Sequence, residues 1–180
     1  MLPPSWTLLP LTAMRMSFLM PNDAIYEPTT KTYPYGTVST GINTAVIEHL
    51  KKLSVKKDMK DKFCGLVFDE IALKRRLFLD VSTDKVEGFE DFCLEAGCGS
   101  QLADHALVFM LQGIRAKFKQ PVAFYFVKGT VSSQKLAVLI KEIITVIEST
   151  GFNILTTICD QGPTNMEALK LLKSGLYNLI

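Results

Sequence analysis

Phe63-Cys64-Gly65-Leu66-Val67-Phe68, running into Asp69-Glu70, is the stretch on which the reading of the fold turns. A short apolar run without alternation reads as a strand buried on both faces, and so as a central strand of a sheet. The run is expected to stop abruptly at Asp69-Glu70. Downstream of it, Leu77 to Phe89 reads as two short extended pieces flanking Ser82-Thr83-Asp84, a small hairpin leaving the first strand. Residues 90–104, with Gly97, Gly99 and Ser100, read as loop. Ala106 to Ile114 and Pro121 to Val127 are two further strands, and the short Arg115–Gln120 link suits antiparallel neighbours.

The period then changes. Leu136, Leu139, Ile140, Ile143, Ile144 and Ile147 recur at helical spacing, with Ser132 or Ser133 to cap the start and Gly151 just past the end. Phe152 to Cys159 returns to strand character. Asp160-Gln161-Gly162-Pro163-Thr164-Asn165 then introduces a last helix from about Met166 to Lys173. Upstream of the first strand, Val46, Ile47, Leu50 and Leu53 share one face of a helix over 43–54, and Asn43 is a suitable cap. Residues 1–40 read as irregular, punctuated by Pro21, Pro28 and Pro34. The expected organisation is an irregular lead-in with a short helix over 1–60 and one domain over 61–180.

The order of elements is strand, strand, strand, helix, strand, helix. A right-handed helical crossover lets the fourth strand lie parallel beside the first. This is an α/β arrangement: an RNase H-like mixed sheet (three antiparallel strands, helix, parallel strand, helix). Such a sheet normally adds further elements, so the domain is expected to be incomplete at its C-terminus.

Composition narrows the function classes. The 180 residues are 48% hydrophobic and 21% charged, with net charge +2. This is ordinary globular composition, and the charge neither demands nor excludes a nucleic-acid partner. Lys51, Lys52, Lys56, Lys57, Lys60 and Lys62 cluster; the plainer reading is a solvated helix end and connection, the alternative a local nucleic-acid patch. Cys64 and Cys159 sit in apolar runs as small hydrophobes, whereas Cys93 and Cys98 have no second pair and only His49 and His105 elsewhere. A zinc site and a disulfide framework are therefore not expected, and a reducing compartment is. Met1 to Met20 is broken by Pro3, Pro4 and Pro10 and lacks the pattern of a signal peptide, and no apolar run reaches transmembrane length. No membrane partner is expected. The chain has no phosphate-binding loop; Lys128-Gly129-Thr130 precedes a helix without the first glycine such a loop needs. His105 beside Asp104 opens an apolar strand and reads as structural.

Two acids stand out by position. Asp69 follows the first strand and Asp160 the fourth, so parallel neighbours would present both at one carboxyl-end edge of the sheet. An aspartate ending a strand is usually a turn former or cap. Two close carboxylates, however, suit a hard divalent cation, and two such ions can activate an attacking oxygen and stabilise a leaving one at a phosphodiester.

Phe68-Asp69-Glu70-Ile71-Ala72-Leu73-Lys74 resembles the first acidic motif of P element-type DNA transposases, a group that includes THAP-domain relatives. Asp84-Lys85-Val86-Glu87-Gly88-Phe89 resembles the stretch that follows it. Leu102 to Met110 and Lys119 to Phe126 are similar to the next two strands, and Cys159-Asp160-Gln161-Gly162-Pro163-Thr164-Asn165 to the second acidic motif. The similarity runs in order over roughly residues 60–175. The resemblance implies catalytic and metal-binding roles for Asp69 and Asp160, Mg²⁺ or Mn²⁺ as cofactor, DNA as partner in a full-length context, and a nuclear location. It also implies a third acid farther downstream. Glu70 reads as solvent-facing, and Glu167, one turn beyond Asp160, is not placed to substitute. The isolated chain is accordingly expected to be inactive in strand transfer and to self-associate through an uncovered sheet edge. The alternatives are a domesticated, non-catalytic DNA- or protein-binding module and a gene fragment without function of its own.

Overall fold

The continuous apolar runs become the middle of the sheet. In the computed structural model, which describes residues 40–80, 84–92 and 101–176, β2 spans Phe63–Ala72, β5 His105–Gly113 and β6 Lys119–Val127. The expected lead-in over 1–39, the hairpin tip at Ser82-Thr83, the glycine-bearing part of the loop (Gly97, Gly99, Ser100) and the Cys93/Cys98 question lie outside the described residues. β2 pairs antiparallel with β5, and β5 antiparallel with β6. A short strand β1 (Gly41–Ile42) precedes helix α1 (Thr44–Lys56), and a single 3-10 turn (Met59–Lys62) leads into β2. β3 (Phe78–Asp80) and β4 (Lys85–Glu87) form the small separate hairpin that leaves β2.

Helix α2 (Ser133–Ser149) crosses over to β7 (Asn153–Ile158), which lies parallel to β2, and α3 (Pro163–Leu176) follows. The sheet order is β1-β6-β5-β2-β7, so the first and fourth expected strands are neighbours and β7 is an edge. β1 is a strand that the sequence pattern does not announce. It pairs with β6 through Gly41↔Phe124 and Ile42↔Ala123, and two residues are too few to carry a period.

Helix α1 starts where its cap predicts: the Asn43 side chain accepts from the Val46 N–H at 3.2 Å. Ser132 caps α2 in the same way, through Lys135 N–H. That helix ends at Thr150, and Gly151, at φ +92°, takes the left-handed turn that a side chain would strain.

Period-2 alternation along β2 sends Cys64, Leu66 and Phe68 to one face, where they meet Leu107, Phe109 and Leu111 of β5. The apolar stripe of α2 (Leu136, Leu139, Ile140, Ile143, Ile147) closes over this face, and Leu50 of α1 and Ala168 of α3 join the same core. All three helices therefore cover one side of the sheet. Gly65, Val67 and Asp69 alternate to the other. Among the described residues, no helix is long and apolar enough to cross a membrane.

One boundary differs from expectation in a way that matters for the site. β2 does not stop at Asp69-Glu70. Its ladder with β5 continues through Asp69↔Val108, Glu70↔Leu107, Ile71↔Ala106 and Ala72↔His105. The apolar pattern ends with burial of the side chains, but main-chain pairing needs only a partner strand, and β5 supplies one four residues farther than the apolar run.

Candidate functional site

Parallel pairing fixes where the two acids lie. Val67 of β2 is in register with Ile158 of β7, and Asp69 and Asp160 each lie two residues beyond that pair. Neighbouring strands are about 4.8 Å apart. Asp69 is the seventh of the ten residues of β2, whereas Asp160 is just past the end of β7, on the connection to α3. Both side chains are exposed. Cys159 immediately precedes Asp160, one residue beyond Ile158, and its half-buried thiol is pushed above its ordinary pKa first by burial, then by the charges of Asp160 and Asp69.

Gly65 lets these strands approach closely. A Cβ there would meet the Thr156 methyl at 3.2 Å. The ladder carries one irregularity, between Cys64 and Gly65, after which it runs regularly to Val67↔Ile158.

Each acid also has local structural work. Asp69 Oδ1 accepts from the Glu70 N–H at 2.8 Å. Asp160 Oδ1 accepts from the Gly162 N–H at 3.2 Å and from the Asn165 side-chain amide. These contacts fold the loop into the start of α3, where the Gly162 carbonyl takes the first helical hydrogen bond from Met166 N–H at 3.0 Å. The turn-forming reading of Asp160 is therefore realised, and it holds one oxygen while the carboxylate stays at the sheet edge. Glu167 points elsewhere: it pairs with Lys170 at 3.6 Å on the exposed side of α3. Among the described residues, no group of three or more His, Cys, Asp or Glu side chains comes together.

A second polar centre at this end of the sheet was not legible in the sequence. Asp104, just before β5, accepts from the Gly129 N–H at 2.7 Å, from His105 Nδ1 at 2.8 Å and from the Arg75 guanidinium. Gly129 donates from a left-handed backbone (φ +64°). The Lys128-Gly129-Thr130 turn is thus a tie between β6 and β5, not part of a phosphate loop. His105 is held by its neighbour through Nδ1. Arg75 and Gly129 are 29 and 25 residues from Asp104 in sequence, a range no local pattern spans.

Asp104 is held well below the usual carboxylate range, chiefly by the Gly129 N–H, then by His105 and Arg75. A depressed folded-state pKa contributes stability that is present above the unfolded value, about 3.9, and is lost as pH falls below it. Asp104→Asn is therefore expected to be less stable than the wild type at pH 7, with the difference shrinking below about pH 4. Urea midpoints across pH 2.5–7 check this; a difference independent of pH would assign the loss to packing.

The mixed sheet with helices on one side, and an acid on or just past each of two adjacent parallel strands, defines an RNase H-like domain. Comparison with known proteins agrees. The family model described as the TNP-like RNase H N-terminal domain matches residues 38–173. The human DNA transposase THAP9 is 25% identical over 136 residues, which is 74% of this chain and 15% of that protein. A Drosophila P element transposase strand transfer complex superimposes with a TM-score of 0.53 at 21% identity, covering 75% of this chain and 26% of that one. This chain belongs to the TNP-like RNase H N-terminal domain family and is similar to P element-type transposases over that domain. It spans only a minor part of the relatives it matches.

Proposed function

We propose that this chain is the part of a P element-type transposase that carries two of the acids for divalent-metal-dependent DNA cleavage and strand transfer. In this reading Asp69 and Asp160 are the ligands and catalytic carboxylates, the ion is Mg²⁺ or Mn²⁺, DNA is the partner in the longer protein, and the site of action is the nucleus. The observation that carries the reading is the parallel β2–β7 register, which sets both acids two residues beyond one strand pair.

The donor set suits a hard cation. Both groups are exposed carboxylates on or beside rigid strand ends, with no soft ligand other than the half-buried, raised-pKa Cys159 thiol. When bound, such ions polarise the phosphodiester and favour ionisation of the attacking oxygen. The chain's own contribution is positional. The β2 ladder holds Asp69, and the Gly162 and Asn165 contacts hold Asp160, so neither carboxylate needs to be ordered at the moment of binding. Two carboxylates leave most of the coordination sphere to water and substrate. The isolated chain is accordingly a weak ion binder, and we expect no strand transfer from it.

Titrating Mn²⁺ into the ¹⁵N-labelled chain tests this. Amides around Glu70, Cys159 and Gln161 are expected to broaden first, with an apparent Kd on the order of millimolar. The Asp69→Ala, Asp160→Ala double variant is expected to lose this local broadening. Identical broadening in both proteins would place the ion elsewhere and remove the reading.

A further inference from the structure

The carboxylates lie at one end of the sheet. The opposite end, where β2 begins, has a different electrostatic character. Residues 51–62 and 115–119 carry nine Lys or Arg side chains (Lys51, Lys52, Lys56, Lys57, Lys60, Lys62, Arg115, Lys117 and Lys119) against Asp58 and Asp61 alone. These seventeen residues are net +7, which leaves the rest of a chain of total charge +2 at −5.

The two segments are adjacent in space. Ile114 N–H donates to the Phe63 carbonyl at 3.0 Å, Arg115 Nε reaches Asp61 Oδ1 at 3.5 Å, and Lys57 Nζ lies 5.6 Å from the centre of the Phe118 ring. The β5–β6 turn therefore packs against the end of α1 and the 3-10 turn, merging two lysine-bearing segments into one surface. Lys51, Lys52, Lys56, Lys60, Lys117 and Lys119 are exposed. Among the described residues, none of these six has an acidic partner. Lys56 lies in the last turn of α1 and is accounted for by the helix dipole. The others have no such local reason, and like charges held this close repel one another.

We infer that this end of the domain is a second nucleic-acid contact surface, which grips the phosphodiester backbone of duplex DNA independently of base sequence and of metal. The choice of DNA rests on the transposase reading above; the surface itself does not. β2 takes six residue steps from Phe63 to Asp69, about 20 Å at strand rise, or roughly six base pairs of duplex. The surface thus acts at a distance from the acids. It supplies affinity and orientation, and the acids supply chemistry.

The test is anisotropy of a labelled 30-base-pair duplex of arbitrary sequence, titrated with the full 180-residue chain in EDTA at several KCl concentrations. If four phosphates are contacted, affinity is expected to fall about 100-fold between 50 and 200 mM salt, a log–log slope near −3.6. Lys56→Gln, Lys60→Gln, Lys117→Gln, Lys119→Gln, four exposed positions, is expected to abolish most of that slope. Lys141→Gln, Lys170→Gln, Lys173→Gln, on α2 and α3, is expected to leave it unchanged. Circular dichroism and thermal melting confirm that both variants fold. The Asp69→Ala, Asp160→Ala variant is expected to bind as the wild type does, which separates this inference from the metal reading. Three results would overturn it: no binding in EDTA, equal loss in both lysine variants, or tighter binding to vesicles of anionic phospholipid than to DNA at equal charge.

Discussion

Phe109→Ala is expected to lower the unfolding free energy by about 3–5 kcal/mol, from loss of apolar transfer and the cavity left behind. Phe109 has no exposed surface and sits on β5, the middle strand of five. Its ring lies 5.6 Å from that of Phe68 on β2 and 6.1 Å, edge-on, from that of Tyr125 on β6. Removing it therefore empties a space bounded by three strands and by α2, none of which can collapse inward without breaking its own ladder or helix. A domain of this size has a total stability of about 5–15 kcal/mol, so the change consumes a large part of it. The urea midpoint measures the effect. Val138→Ala is the companion: on the same helix that closes the core, but 59% exposed, it is expected to stay within about 0.5 kcal/mol. Comparable losses from the two would mean that the core is not centred on β5.

Gly113→Ala is expected to cost about 1–3 kcal/mol or more, as overpacking does where the obstacle is main chain. A Cβ at this position would stand 2.1 Å from the Ala116 carbonyl oxygen and 2.7 Å from the Phe118 ring. Neither neighbour can yield cheaply. The Ala116 carbonyl accepts from Phe118 N–H at 2.9 Å, and Gly113 N–H donates to the Phe118 carbonyl at 3.0 Å. Phe118 itself is buried, with its ring edge-on to that of Phe152 at 5.9 Å. The turn that brings Arg115 and Lys117 beside α1 is thus built on the absence of one methyl group. Thermal melting against Gly175→Ala gives the contrast. Gly175 is in α3 with open space around it, and alanine there is expected to stabilise by up to about 1 kcal/mol. A neutral Gly113→Ala would show that the turn is looser than described.

What could be read from the residues followed from physics that is local in sequence. Val122 to Val127 and the β2 run read as inner strands because they are apolar without a break, although the helices cover only one of their faces and Val67, Phe124 and Phe126 on the other are half-buried. The Leu136–Ile147 spacing is helical because one stripe of α2 faces the sheet. Adjacent placement of Asp69 and Asp160 followed from handedness, since a right-handed crossover from β6 carries the chain past β5 to the free edge of β2. The rest was not legible, for equally physical reasons. Glu70 to Ala72 continue the strand with exposed or half-buried side chains, so the pairing that holds them is written in β5 and not in their own composition. β1 exists because β6 has a free edge to pair with. The Asp104 centre joins the ends of β2 and β6 to the start of β5, and neither Arg75 nor Gly129 carries a mark of its partner.

The ladder that spaces the two acids is made of main-chain groups. Substitutions along β2 and β7 can therefore accumulate over long divergence without moving one carboxylate relative to the other, provided packing survives. A change in length has no such tolerance. One residue inserted into β7 or deleted from it would shift its register against β2 and carry Asp160 away from its place beside Asp69. The lineage of such a domain is free to change its letters and constrained in its count.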